Sequence, residues 1–184
     1  MHDTPSICVF CGSADGTLPE YTAAAEATGA LLASRGFRLV YGGGRAGLMG
    51  RIADAVLNAG GEAIGVIPSG MVDREIAHQG LTELLITDTM TERKALMAQR
   101  SNAFLVLPGG FGTLEEFSEV LSWAQIGLHR KPIGFLNVCG YYDGLFAFFD
   151  QMVENGFLRQ SSRRLVLADD EAGRLVDRLV TAGS

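Results

Sequence analysis

Residues 107–117, LPGGFGTLEEF, set a glycine-rich turn directly before two adjacent carboxylates. Gly109, Gly110 and Gly112 carry no side chain, so the backbone there can approach a ligand closely. Phe111, Thr113 and Leu114 lead from this turn into a helical pattern. Free N–H donors, the Thr113 hydroxyl and the helix dipole together make an anion site. The loop has no Gly-Lys-Ser/Thr ending, and no magnesium-binding carboxylate follows a strand, so it suits a monophosphate better than a triphosphate. Glu115, Glu116 and Glu119 come next. One glutamate in a first helical turn is ordinary, because the macrodipole stabilises it by about 0.3–1 kcal/mol. Three in succession after an anion cradle ask for more. Adjacent helical residues point about 100° apart, so at most one of Glu115 and Glu116 faces the phosphate end. Glu116 lies four residues past Gly112, roughly 6 Å along a helix axis. That is a sugar's distance, and a carboxylate there suits ribose hydroxyls or an anomeric carbon gaining positive charge.

A second cluster is TERKALMAQR, where Arg93 and Lys94 open a helical stretch. Solvated surface charge is the plain reading. Beside a phosphate cradle, a forked guanidinium also suits a substrate clamp. The polar segment DREIAHQG adds Arg74, Glu75 and His78, the last read as a solvent-exposed loop histidine. GGGRAG supplies Gly42, Gly44 and Gly47 in a G-x-G-x-x-G pattern. It follows the second apolar run rather than the first, and Glu62, the acid at the right separation, precedes the next run. Both facts argue against a dinucleotide site. What remains is a tight turn with close helix–strand packing, or a backbone bordering a nucleotide-sized pocket. Cys8 and Cys11 form a C-x-x-C inside an apolar run. On a strand, residues three apart face opposite sides, roughly 10 Å from one another, so the pair reads as two small core residues.

Positioning these groups requires a scaffold, and its outline is legible. Short apolar runs at 6–10, 37–41, 63–68, 84–87, 103–107, 132–136 and 164–168 alternate with helical stretches. The helices are expected at 21–35, 48–59, 90–101, 114–128, 141–154 and 171–180. Thr89-x-x-Glu92 is a capping-box pattern before the third of these. Near-continuous apolar strands alternating with helices predict an α/β fold, a Rossmann-like doubly wound parallel sheet with helices on both faces. In such sheets ligands bind beyond the carboxyl ends of the strands, where Cys11-Gly12-Ser13, the Gly43-Gly44 turn and the Pro108–Thr113 loop all fall. Residues 69–80 form the longest irregular stretch and a candidate active-site loop.

The chain has 184 residues, of which 47% are apolar and 20% charged, fitting one domain spanning 1–184. No apolar run approaches the ~20 residues of a membrane span, and residues 1–10 lack the pattern of a signal peptide. A cytoplasmic protein is therefore expected. The net charge of −6 argues against a nucleic-acid partner. With three cysteines and no second cysteine pair, no metal site is expected.

Taken together these residues resemble the LONELY GUY (LOG) family of cytokinin riboside 5′-monophosphate phosphoribohydrolases. The signature P-G-G-x-G-T-x-x-E is matched in full by Pro108–Glu116. Supporting blocks run in order: CVFCGS (8–13), LVYGGGRAGLMG (39–50), GVIP (65–68), ERKALM (92–97), WAQIGLH (123–129) and KPIGFLN (131–137). The segment 69–89 departs from the pattern. The resemblance implies a Rossmann-like homodimer that hydrolyses the N-glycosidic bond of a nucleoside 5′-monophosphate such as AMP. The products are an N6-modified adenine (a cytokinin) or adenine, and ribose 5-phosphate, with no cofactor. It implies catalytic roles for Arg93 and Glu116. Gly109, Gly110, Phe111, Gly112 and Thr113 would hold the phosphate, with Leu114 a further substrate-binding position. Glu75, Lys94, Glu115 and Ser122 fall at substrate-contacting positions, and Gly12, Ser13, Gly43 and Gly44 border the nucleotide. Three other readings compete with this one. A carrier of a phosphorylated ligand such as molybdenum cofactor would not need the Arg93/Glu116 pair. A pyridoxal phosphate lysine decarboxylase would have only Lys94 and Lys131 for its Schiff base. DNA binding sits poorly with a pI near 5.0.

Overall fold

The computed structural model describes residues 4–71 and 77–183. All seven apolar runs become strands: β1 (Ser6–Phe10), β2 (Arg38–Tyr41), β3 (Ala63–Pro68), β4 (Glu83–Thr87), β5 (Ala103–Val106), β6 (Ile133–Leu136) and β7 (Val166–Asp169). β1, β3, β5 and β6 are buried along their whole lengths, as strands covered on both faces must be. Every pairing is parallel, in the order β4-β3-β2-β1-β5-β6-β7. The chain builds outward from β1 to β4, crosses back to the other side of β1, and builds outward again. The reversal puts the switch point between β1 and β5, so the loops that leave these two strands define the crevice.

The helices are α1 (Pro19–Ser34), α2 (Gly47–Asn58), the single turn α3 (Ser69–Met71), α4 (Met90–Gln99), α5 (Phe111–Gln125), α6 (Asp143–Glu154), the short α7 (Gln160–Arg163) and α8 (Ala172–Gly183). One core layer packs Leu32, Ile52, Val56, Leu175 and Leu179 of α1, α2 and α8 against one sheet face. The other packs Met97, Phe117 and Val120 of α4 and α5, with Phe146 of α6, against the opposite face. Cys8 belongs to the second layer and Cys11 to the first, as strand alternation requires, and both are buried. Among the described residues no helix is long and apolar enough to cross a membrane.

Two helix boundaries matter for the site. α4 starts where its capping box says: Glu92 N–H donates to Thr89 Oγ1 at 3.1 Å, and Glu92 Oε2 accepts from Thr89 N–H at 3.3 Å. This sets the first turn that carries Arg93. α5 begins three residues earlier than the expected 114, with Gly110 as an N-cap that has no side-chain cap. Glycine and threonine are weak helix formers, which hid this first turn from propensity. It ends at Gln125, not at 128, because Gly127 adopts φ 81°. Gly127 N–H then donates to Ala124 O and Leu128 N–H to Trp123 O, a Schellman termination.

Candidate active site

The carboxyl ends of β1 and β5 are tied together by their loops. Gly12 N–H donates to Pro108 O at 2.9 Å, and Met49 N–H, in the first turn of α2, donates to Gly12 O at 3.3 Å. A β-carbon on Gly109 would lie 2.0 Å from Thr113 Oγ1 and 2.8 Å from Gly12 N, so only glycine fits between them. Gly110 and Gly112 have nothing within 4 Å of a β-carbon position and face open space. Leu114 N–H closes the first helical bond to Gly110 O at 3.0 Å. Among the described residues nothing accepts from the N–H groups of Gly110, Phe111, Gly112 or Thr113. These are the orphan donors of a helix start, in the crevice where they can meet an anion. Thr113 is buried, Leu114 packs into the core, and Phe111 is 90% exposed, so Phe111 offers its backbone rather than its ring. A cavity of about 270 Å³ beside the loop is lined by Gly12, Ser13, Tyr21, Gly109, Gly110 and Tyr141, among others.

Next to the cradle, α4 and α5 are joined by two rungs. In the inner rung Arg93 Nη1 donates to Glu116 Oε1 at 2.8 Å, with the two side chains only 10% and 11% exposed. Arg93 Nε also donates to Val66 O at 2.9 Å, within the second half of β3. Gly42 lies directly under the guanidinium: a β-carbon there would be 2.1 Å from Arg93 Nη2. Burial pushes the Glu116 carboxyl above the ordinary glutamate range, even though Arg93 beside it pulls the other way. Buried proximity of this kind poises a carboxylate for proton chemistry. In the outer rung Lys94 Nζ donates to Glu115 and reaches Glu119 at 3.2 Å. The hydrogen bond to Glu115 is the main cause holding the Lys94 ammonium above its ordinary pKa. The 100° offset thus separates the two glutamates as expected: Glu116 turns inward and Glu115 outward.

Other candidates fall elsewhere. Gly43 and Gly44 spend backbone groups on protein: Gly43 O accepts from His78 N–H at 2.9 Å, and Gly44 bridges Ala77. His78 corrects its sequence reading. Its side chain is 12% exposed, its Nε2 sits 2.9 Å from Asp54 Oδ1, and its Nδ1 accepts from Gly80 N–H. It therefore braces the 77–80 segment rather than lying in solvent. Ser122 lies in a separate groove with Phe117, Leu121, Phe149 and Leu165, away from the cradle cavity. Glu75 and Arg74 lie outside the described residues. Three residues escaped sequence reasoning: the Val66 carbonyl, Tyr141 and Tyr142. The Tyr141-Tyr142 pair follows β6, the next strand beyond the switch point, and that position was the available signal.

The strand order and the paired glycine loops define a Rossmann-like α/β protein. A molybdenum cofactor binding protein from Rippkaea orientalis shares the fold at a TM-score of 0.76 and 21% identity, each chain covered in full. The Moco carrier protein from Chlamydomonas reinhardtii does so at 0.74 and 22%, with 98% of each covered. By sequence, the chain belongs to the LONELY GUY (LOG) family. The family described as possible lysine decarboxylase matches residues 49–179. A probable cytokinin riboside 5′-monophosphate phosphoribohydrolase of Oryza sativa subsp. japonica, LOGL9, is 50% identical over 94% of this chain and 76% of its own. The cytokinin riboside 5′-monophosphate phosphoribohydrolase LOG1 of Arabidopsis thaliana is 49% identical over 94% of this chain and 81% of its own.

Proposed function

We propose that this protein hydrolyses the N-glycosidic bond of an adenosine 5′-monophosphate, N6-modified or plain, releasing the base and ribose 5-phosphate. The observation that carries the reading is the buried Arg93–Glu116 pair about one helical turn from an open, donor-rich cradle. The orphan N–H groups of 110–113 take the 5′-phosphate dianion, and the sugar then extends along α5 toward Glu116. As the C1′–N bond breaks, its electron pair leaves with the base and C1′ becomes oxocarbenium-like. The Glu116 carboxylate stabilises that charge and accepts a proton from the water that attacks C1′. The departing base takes up a proton, so the sum is addition of one water. Arg93, held by the Val66 carbonyl, fixes the carboxylate and supplies geometry. Glu75, Lys94 and Glu115 complete the proposed substrate contacts, with Lys94 and Glu115 meeting the ligand as a preformed pair, while Ser122, in its separate groove, is left out.

The decarboxylase reading fits the residues poorly. A Schiff-base lysine must lose its proton, yet Lys94 is held charged by two carboxylates. Lys131 donates to Ala98 O at 2.6 Å, beside the start of β6 and far from the crevice. The proposal extends to a cytoplasmic homodimer, in which a second copy covers exposed apolar groups such as Leu128 and Phe157. Incubation with AMP, N6-isopentenyl-AMP, GMP and CMP tests the activity. Free base is expected from the first two, and none from any of the four would leave a carrier of phosphorylated ligands as the better reading.

A further inference from the structure

The cradle offers donors only because its acceptors are already engaged. Leu107 O accepts from Tyr142 Oη at 2.7 Å, Pro108 O from Gly12 N–H at 2.9 Å, Gly109 O from Tyr141 Oη at 2.7 Å, and Gly110 O from Leu114 N–H at 3.0 Å. Four consecutive carbonyls are thus held. The Gly109–Gly110 peptide is the weak point, since glycine on both sides leaves little steric resistance to a flip. A peptide is planar and trans, so its C=O and N–H point in opposite directions. Turning this one over would replace the Gly110 N–H at the anion with a carbonyl oxygen.

The fold invests several contacts in placing the hydroxyl that prevents this. After β6, Cys139 and Gly140 adopt φ of 51° and 71° and reverse the chain. Asn137 Oδ1 accepts from Tyr142 N–H at 2.7 Å, and Asn137 Nδ2 donates to Asp143 at 2.7 Å. The Tyr141 ring packs edge-on against Tyr142 at 4.9 Å and against Tyr21 at 5.7 Å. Tyr142 is buried at 2% exposure, whereas Tyr141 is 43% exposed and lines the cradle cavity. A hydroxyl on so exposed a ring is not needed to fill the core.

We propose that Tyr141 is a positioning residue for the phosphate: its hydroxyl locks the Gly109–Gly110 peptide with the N–H toward the anion. This rests on reading the loop as a phosphate cradle. The test is Tyr141→Phe, which removes one oxygen and keeps the ring. The dissociation constant for ribose 5-phosphate, measured by calorimetry, should rise about 3- to 10-fold, the usual range for one hydrogen bond. KM for a nucleoside monophosphate should rise equally, with kcat within about twofold and activity on the unphosphorylated nucleoside unchanged. In the wild type the Gly110 amide resonance should shift on adding ribose 5-phosphate, and in the variant it should shift less. Unchanged ribose 5-phosphate affinity overturns the inference, as does equal loss on nucleoside and nucleotide, or a lower Tm alone. Failure of the wild type to bind ribose 5-phosphate overturns it too. Ribose 5-phosphate binding that responds to Tyr141→Phe, with no base released from any nucleotide, upholds the inference and rejects only the hydrolase.

Discussion

The loop after β2 and the loop after β5 look alike as strings of letters, GGGRAG and PGGFGT, yet their glycines face different things. In the first, the space beyond Gly42, Gly43 and Gly47 is filled by protein. A β-carbon on Gly42 would strike the Arg93 guanidinium, and one on Gly47, at φ 60°, would lie 2.2 Å from Ala14 N. Gly43, at φ 74°, packs against the β3 backbone. In the second loop only Gly109 is enclosed, by Thr113 and Gly12, while Gly110 and Gly112 look into open space. Glycine in the first loop lets parts of the protein touch; in the second it leaves room for something that is not protein.

Alanine at each position should separate the two uses. Gly47→Ala carries the largest expected effect. It combines positive φ with a backbone collision, so a loss of at least about 3 kcal/mol is expected, a Tm drop of roughly 6–12 °C in a melt. Gly42→Ala comes next and should act on turnover more than on stability. Pushing the guanidinium off Val66 and Glu116 should lower kcat about 10- to 100-fold. A normal kcat would mean that Arg93 does not set the geometry of Glu116. Gly112→Ala should do the reverse of Gly47→Ala. Alanine favours the helix, so Tm should rise by roughly 1–2 °C, while KM for the nucleotide rises about 3- to 10-fold. If Gly112→Ala left KM unchanged, the two loops would not differ in the way proposed.

The smallest effect concerns pH. The Glu116 carboxyl titrates above the ordinary glutamate value in the fold, chiefly because it is buried. It therefore binds a proton more tightly folded than unfolded. Its contribution to stability is full below the unfolded pKa and is lost as pH rises through the folded one. Melts of Glu116→Gln and wild type from pH 4 to 8 should show the variant gaining Tm relative to wild type as pH rises. A gap that stays constant with pH contradicts the burial argument.

Much of this was legible in the residues and some was not. The strands were, because each is an uninterrupted apolar run in a sheet covered on both faces. The start of α4 was, because Thr89 and Glu92 cap it with their own side chains. That Glu115 and Glu116 point different ways followed from helical geometry; that Glu116 is the inward one is shown by its pairing with Arg93. The first turn of α5 was not, since Thr113 packs on Gly109, which in turn packs on Gly12 from a loop far away in sequence. His78 read as a solvated loop residue because its partner, Asp54, lies on another element. Ser122 sits six residues beyond Glu116 on the same helix, and only the packing of α6 and β7 shows that it opens into a different groove. Whether a glycine faces protein or space is likewise a property of its neighbours.

If the cradle and Glu116 address opposite ends of one nucleoside monophosphate, Glu116→Gln should separate binding from turnover when AMP binding is measured by calorimetry and adenine release is assayed in parallel. The expected result is an AMP dissociation constant within about threefold of wild type and base release slower by at least about 10³-fold. Undiminished adenine release from the variant would mean that Glu116 does not act at the sugar carbon.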